Sequence, residues 1–263
     1  MVNLQVRVLS NIVKEYPDMF KVVIYKQPKY FVKSDAPKRD REVVDDGSYV
    51  PSISSLSRTK TLVRDLVLCN DFELFCTFTF DPKKVDSFRL PACWRVMSTW
   101  LHHQRDNSRE KGKEFKYLII PEQHKSGRWH FHALISGYTS TLKPSKCVTM
   151  SLRPIFNITS FRSGFTTAVP IDSKEEVSSY VTKYITKDFI KSFNQRRFFC
   201  SRNLKRPEKT LNRFLDFLPL SYKFVSENSE TQEFIVDKKM NDVYNLSMSD
   251  VAQYRNSDYN INL

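Results

Sequence analysis

Glycine is scarce in this chain, with 5 among 263 residues. That excludes Gly-rich phosphate cradles, collagen-like segments and most repeat arrays, and no GxxxxGK[ST] loop occurs. The five cysteines (Cys69, Cys76, Cys93, Cys147, Cys200) are odd in number and never spaced CxxC. A disulfide framework and a zinc ribbon are therefore disfavoured, and a reducing compartment, the cytoplasm, is expected. No stretch approaches ~18 uninterrupted apolar residues, and no basic segment followed by an apolar run opens the chain. Neither a membrane-spanning helix nor a signal peptide is expected.

What the chain does have is a 40% apolar content, 20 Phe, 12 Tyr and a formal charge of +13. The first two predict a packed globular fold rather than disorder. The charge predicts a polyanionic partner, nucleic acid before others.

Three stretches divide the chain. Residues 1–55 carry two strand patterns, 20–25 and 30–33, then a polar and charged linker, and show no chemistry. Residues 56–210 form the main domain. A helix starts near Ser57, a Phe- and Thr-rich strand spans 72–80, and a second helix over 86–103 buries Phe88, Trp94, Met97 and Leu101. A polar turn at 105–113 leads to a strand over 115–122, a hairpin turn at 125–128 and a third strand over 129–136. Residues 138–163 read as a loop with short strands, and 165–171 as an edge strand because of Pro170. Asp172 or Ser173 then caps a helix running to about residue 188. Residues 211–263 are peripheral. The fold class expected is α+β, with a central antiparallel sheet flanked by helices.

Two short stretches carry the chemistry. In Trp129-His130-Phe131-His132-Ala133 the period of a strand puts His130 and His132 on one face and the apolar residues on the other. Two parallel imidazoles suit a divalent ion, although two solvent-facing histidines on a half-exposed strand would look the same. Glu122 ends the neighbouring strand, and the hairpin brings it beside them; Gln123 and His124 are adjacent alternatives for a third ligand. One carboxylate and two imidazoles suit Mg²⁺ or Mn²⁺ acting as a Lewis acid on a phosphate oxygen.

The second stretch is Tyr180-Val181-Thr182-Lys183-Tyr184-Ile185-Thr186-Lys187. Tyr180 and Tyr184 are four apart and share a helical face, and Lys183 and Lys187 each follow a tyrosine by three. A phenol is a poor nucleophile near its ordinary pKa of about 10, so a nearby metal and ammonium groups would be needed to stabilise the phenolate. A plain amphipathic helix with aromatic core residues is the competing account. After it, Lys191, Arg196, Arg197, Arg202, Lys205 and Arg206, interleaved with Phe193, Phe198 and Phe199, read as a phosphate-tracking, base-stacking segment or as a solvated basic surface.

Taken in order, residues 75–82 (Phe-Cys-Thr-Phe-Thr-Phe-Asp-Pro), Glu122 with the His130/His132 strand, and the doubled Tyr-x-x-Lys resemble the HUH-family rolling-circle replication initiators, in particular the two-tyrosine type of single-stranded DNA phages and related elements. The resemblance covers about residues 55–210. It implies a ferredoxin-like or RRM-like nuclease domain that nicks and rejoins single-stranded DNA at an origin. It also implies a 5′-phosphotyrosine and a free 3′-OH, with a host helicase and polymerase as partners. Two tyrosines would let cleavage and ligation alternate. A non-catalytic single-strand or origin-binding protein and a single-strand transposase of the same superfamily are the alternatives; the second tyrosine weighs against the transposase.

Overall fold

The structure is a computed structural model, and it describes residues 6–32, 48–49, 53–185, 191–192, 197–211 and 222–238. In chain order, β1 (Val6–Glu15) and β2 (Met19–Val32) form a hairpin, closed by Tyr16 N–H donating to the Met19 carbonyl at 2.9 Å. A two-residue strand, β3 (Ser48–Tyr49), precedes α1 (Ile53–Leu68), and β4 (Leu74–Phe80) follows. The burial of β4 alternates strictly, as a strand packed on one face must. Helix α2 (Leu90–Glu110) is long and turns Cys93, Met97, Trp100 and Leu101 inward. Then come β5 (Lys116–Gln123) and β6 (Trp129–Ser136), joined by a turn in which Gly127 takes φ +82°, a conformation that disfavours any side chain.

Next are β7 (Leu142–Val148), β8 (Pro154–Ile158) and β9 (Gly164–Pro170). Helix α3 (Lys174–Val181) is capped by Ser173, whose hydroxyl accepts from Glu176 N–H at 3.2 Å, with Glu175 and Glu176 in its first turn. It tightens into a 3₁₀ turn, Thr182–Tyr184. The short strands β10 (Lys191–Ser192), β11 (Phe199–Cys200) and β12 (Glu208–Leu211) lead to a final hairpin, β13 (Tyr222–Glu227) and β14 (Thr231–Asp237).

The chain forms two compact units. One combines Met1–Arg39 with Pro207–Leu263. Its antiparallel sheet has the order β12-β1-β2-β14-β13 around Val13, Val22, Phe234 and Val236. The two chain ends, expected as separate accessory and peripheral segments, thus share one sheet. The polar linker expected before residue 55 lies mostly outside the described residues, as does the Asn/Asp/Tyr-rich tail after residue 238.

The second unit, Asp40–Arg206, holds a seven-stranded antiparallel sheet of order β11-β5-β6-β4-β9-β8-β7 and a small β3–β10 pair. The α+β class with a central antiparallel sheet flanked by helices is what forms. Helix α2 covers one face of the sheet through Phe78, Phe131, Ala133 and Ile135, with Phe78 and Trp100 rings 5.0 Å apart. Helices α1 and α3 cover part of the other through Leu118, Ile120, Leu134, Val177 and Val181. Phe78, Phe131 and Leu134 are fully buried, each contributing on the order of 2–3 kcal/mol by removal from water.

Three expectations need correction. Helix α2 begins at Leu90 rather than 86 and runs on through the expected turn to Glu110, leaving Phe88 exposed before it. Strand β9 is internal, because β8 and β7 extend the sheet beyond it, and Pro170 is its last residue. Within the described residues α3 gives way to the 3₁₀ turn at Thr182, and residues 186–190 lie outside them. All five cysteines are free, and no helix among the described residues is long and apolar enough to cross a membrane.

Candidate active site

The site lies on the α1/α3 face of the larger sheet, and strand register builds it. His130 stands opposite Glu122 on β5 and Thr79 on β4; His132 stands opposite Ile120 and Thr77. Because strand side chains alternate, Glu122, His130, His132, Thr77 and Thr79 share one face, and Phe75 continues it along β4. His132 Nε2 lies 2.7 Å from Glu122 Oε2. A carboxylate only accepts, so the imidazole Nε2–H is the donor and His132 Nδ1 is left to accept from the Thr77 hydroxyl, 3.3 Å away. His130 Nδ1 lies 3.0 Å from Thr79 Oγ1. Both rings are therefore held by a threonine at the same nitrogen.

Burial holds both imidazoles below their ordinary pKa; for His132 the Glu122 carboxylate opposes that shift. The neutral form thus favoured is the one that ligates a metal. Of the alternative third ligands, Gln123 donates from Nε2 to the Gly127 carbonyl at 2.9 Å. His124 is exposed, with its ring centre 5.6 Å from that of His130.

Among the described residues no three His, Cys, Asp or Glu side chains already converge on a common ion position. Glu122 and His132 are closed onto each other, and His130 is one row along. The donor chemistry nevertheless fits a hard or borderline divalent ion: one carboxylate and two imidazoles on one rigid face, each ring anchored at Nδ1 with Nε2 as its remaining nitrogen. Two cis ligands on an ion with bonds of about 2.1 Å sit roughly 3 Å apart, so Glu122 and His132 need to part by only a few tenths of an ångström.

The tyrosines meet this face. Tyr184 stacks on His132, with ring centres 3.5 Å apart and planes inclined by 15°, and its hydroxyl donates to the Tyr180 oxygen at 2.9 Å. Phe75 touches all three rings: 6.0 Å from His132, 5.4 Å from Tyr180 edge-on and 6.5 Å from Tyr184. Tyr180 is 44% exposed, while Tyr184 is half-buried, and burial together with its partner Tyr180 pushes its phenol up. Lys183 holds its ammonium 5.2 Å over the Tyr180 ring. Helix α3 is fixed at its start by the Asp71–Lys174 ion pair and along its length by Val177 and Val181 against α1 and the sheet.

Thr77, Thr79 and Phe75 escaped sequence reasoning, which took strand 72–80 only as a β former. The same two-residue period would have placed them beside the histidines.

The basic segment is not gathered at the site. Lys187 and Arg196 lie outside the described residues, as does the side chain of Lys191. Arg197 is buried, and its Nη1 donates to the Ser55 carbonyl, Ser55 Oγ and Thr59 Oγ1 in the first turns of α1. Arg202 is exposed and lines a groove with Arg105 and Lys113 on the α2 side, away from the histidines. Lys205 and Arg206 are also exposed. The Lys205 backbone is tied to Asn70 at the start of β4, whereas His130 sits beside its far end. Of the interleaved aromatics, Phe199 stacks on Trp94 at 3.7 Å and Phe198 packs on the α1/α3 core.

Comparison with curated proteins gives no match, and comparison with solved structures gives none. Residues 73–189, from β4 through the tyrosine segment, match the model of a replication-associated protein family, the ORF2 type, which supports a replication initiator.

Proposed function

We propose that the chain initiates rolling-circle replication by cleaving and rejoining single-stranded DNA at an origin through a 5′-phosphotyrosine. The observation that carries this reading is the contact of the two stretches: Tyr180 and Tyr184 joined by a hydrogen bond, with Tyr184 stacked on His132 and His132 bonded to Glu122. A structural aromatic pair has no need of an imidazole and a carboxylate beneath it.

Tyr180, the more exposed phenol and the acceptor in the Tyr184–Tyr180 hydrogen bond, is the first nucleophile. Its oxygen forms a bond to phosphorus as the bond to the 3′ oxygen breaks. The proton lost by the phenol is balanced by the one the leaving 3′ oxygen takes up. The phosphotyrosine conserves the ester, and Tyr184 is placed to open a second junction while Tyr180 is occupied. Glu122, His130 and His132 are the residues that would hold Mg²⁺ or Mn²⁺, which when bound polarises the scissile phosphate oxygen as a Lewis acid. Lys183 adds positive charge beside Tyr180. A host polymerase would extend the 3′-OH, and a host helicase would open the duplex.

The test is incubation with circular or oligonucleotide single-stranded DNA carrying the origin, plus Mg²⁺ or Mn²⁺. A covalent protein–DNA adduct is expected, absent with EDTA and in the double variant Tyr180→Phe/Tyr184→Phe. Metal-independent retention of DNA without any adduct would leave a binding protein in place of an enzyme.

A further inference from the structure

The seven-stranded sheet is wider than the helices that cover it. On the α1/α3 face, covering residues belong to β5, β6 and the Phe75 end of β4. Strands β9, β8 and β7 carry that face outward to the sheet edge.

Register continues the site into this face. One cross-strand row reads Glu122, His130, Thr79, Phe165. The next reads Ile120, His132, Thr77, Thr167. Pairing of Phe156 with Ala168 sets Asn157 beside Thr167, and Lys143 pairs with Asn157, so the second row runs on through Asn157 to Lys143. Thr167, Asn157 and Lys143 are all exposed.

Phe165 is 76% exposed. Its ring stands two strands from His130, about 10 Å along the row. It sits on a rigid strand, not a loop tip. Gly164 presses β9 against β4 so closely that a Cβ there would meet the Thr79 carbonyl oxygen at 1.9 Å. An aromatic ring fixed beside a phosphate-handling site, among hydroxyl, amide and ammonium groups, has the composition of a single-strand platform, in which bases stack on rings and polar groups track the backbone.

We infer that Phe165 is a base-binding subsite: a nucleobase of the single-stranded substrate, one or two positions from the scissile phosphate, stacks on its ring while Thr167, Asn157 and Lys143 follow the strand toward the sheet edge. The inference rests on the nuclease reading for its substrate, but its test does not depend on cleavage.

The experiment measures binding of a dye-labelled oligothymidylate to the full chain by anisotropy, without divalent metal, for wild type, Phe165→Ala and Phe165→Trp. Phe165→Ala is expected to weaken affinity roughly five- to 150-fold, the worth of one stacked base. The dependence of log K on log salt should stay as in wild type, because a phenyl ring neutralises no phosphate. Phe165→Trp should keep affinity, and the fluorescence it adds should be quenched by the oligonucleotide. Unchanged affinity in Phe165→Ala together with an unquenched Phe165→Trp overturns the subsite. So does a wild-type dimer in sedimentation that Phe165→Ala converts to monomer, since the ring would then be a contact between copies. Should Phe165→Ala fail to fold, quenching in Phe165→Trp alone decides. Absence of a wild-type adduct with origin DNA and Mg²⁺ would instead sink the nuclease reading and leave this measurement standing.

Discussion

Replacing Thr79 by valine removes one hydroxyl and keeps the shape of a β-branched side chain. Strand β4 should tolerate it, since valine is at least as good a strand former. What changes is the anchor of His130. The Thr79 oxygen lies 3.0 Å from His130 Nδ1, and the equivalent Thr77 contact to His132 is 3.3 Å. A hydroxyl can donate to Nδ1 or accept from it, so it fits the ring both when Nε2 carries the proton and when Nε2 is a ligand. Valine serves neither. Loss of such a partner behind a metal-ligating histidine typically costs ten- to a hundredfold in metal affinity, about 1.4–2.7 kcal/mol. The assay is adduct formation on an origin oligonucleotide, titrated with Mn²⁺. Thr79→Val should move the half-saturating Mn²⁺ concentration up by that factor while the rate at saturation stays within a few-fold of wild type. Thr77→Val, with the longer contact, should show a smaller displacement in the same direction. A Thr79→Val titration that overlays wild type would refute the reasoning: the threonines would then be ordinary strand residues, and the imidazoles would be oriented by packing alone.

Tyr184→Phe keeps the ring on His132 and loses only the hydroxyl, so an adduct through Tyr180 should survive on a suicide oligonucleotide, within about tenfold of wild-type yield, whereas Tyr180→Phe should abolish it; equal loss in both, read on a denaturing gel, would contradict the order of attack. Arg197→Ala should destabilise the fold by about 1.5–3 kcal/mol in urea, the range for hydrogen bonds from a charged donor, and leave the salt dependence of DNA binding unchanged. Arg206→Ala, on an exposed side chain, should do the reverse and lower the salt slope by about one if that end of the sheet tracks phosphate. Gly164→Ala should cost on the order of 1–3 kcal/mol or more, because the new Cβ collides with backbone rather than with a side chain that can turn away. A wild-type urea midpoint would show that β9 has slack against β4.

The parts of the fold that were legible in the sequence are those where one local rule decides. Strand β6 reads at its true bounds because its alternation and its turn agree, and the start of α3 reads from Ser173 and the acids after it. Helix α2 fails at both ends for separate reasons. Pro91, in its first turn, marks a start later than the apolar pattern suggests, and Phe88 falls outside it. At the other end Gln104 and Ser108 are buried polar residues, with the Ser108 hydroxyl donating to the Gly137 carbonyl at 2.7 Å, so a helix that stays packed looks polar in sequence. The sheet formed by the chain ends and the flank of β8 and β7 depend on pairings between distant or irregular segments, which no local period announces.

The candidate site was legible as two stretches, yet what joins them is a third. Phe75, Thr77 and Thr79 lie on one face of β4. Thr77 and Thr79 face the histidines, and Phe75 packs on His132, Tyr180 and Tyr184 together. The other face of the same strand, Leu74, Cys76, Phe78 and Phe80, is the core against α2. A one-residue slip of β4 against β6 would exchange these faces, turning Phe78 to the site and Thr77 into the core. Burial of Phe78 and Phe131 therefore fixes the register that aims the threonines at the imidazoles. The core and the site are two sides of a single strand alignment, and a mutation that loosens the α2 face should disturb metal dependence before it unfolds the chain.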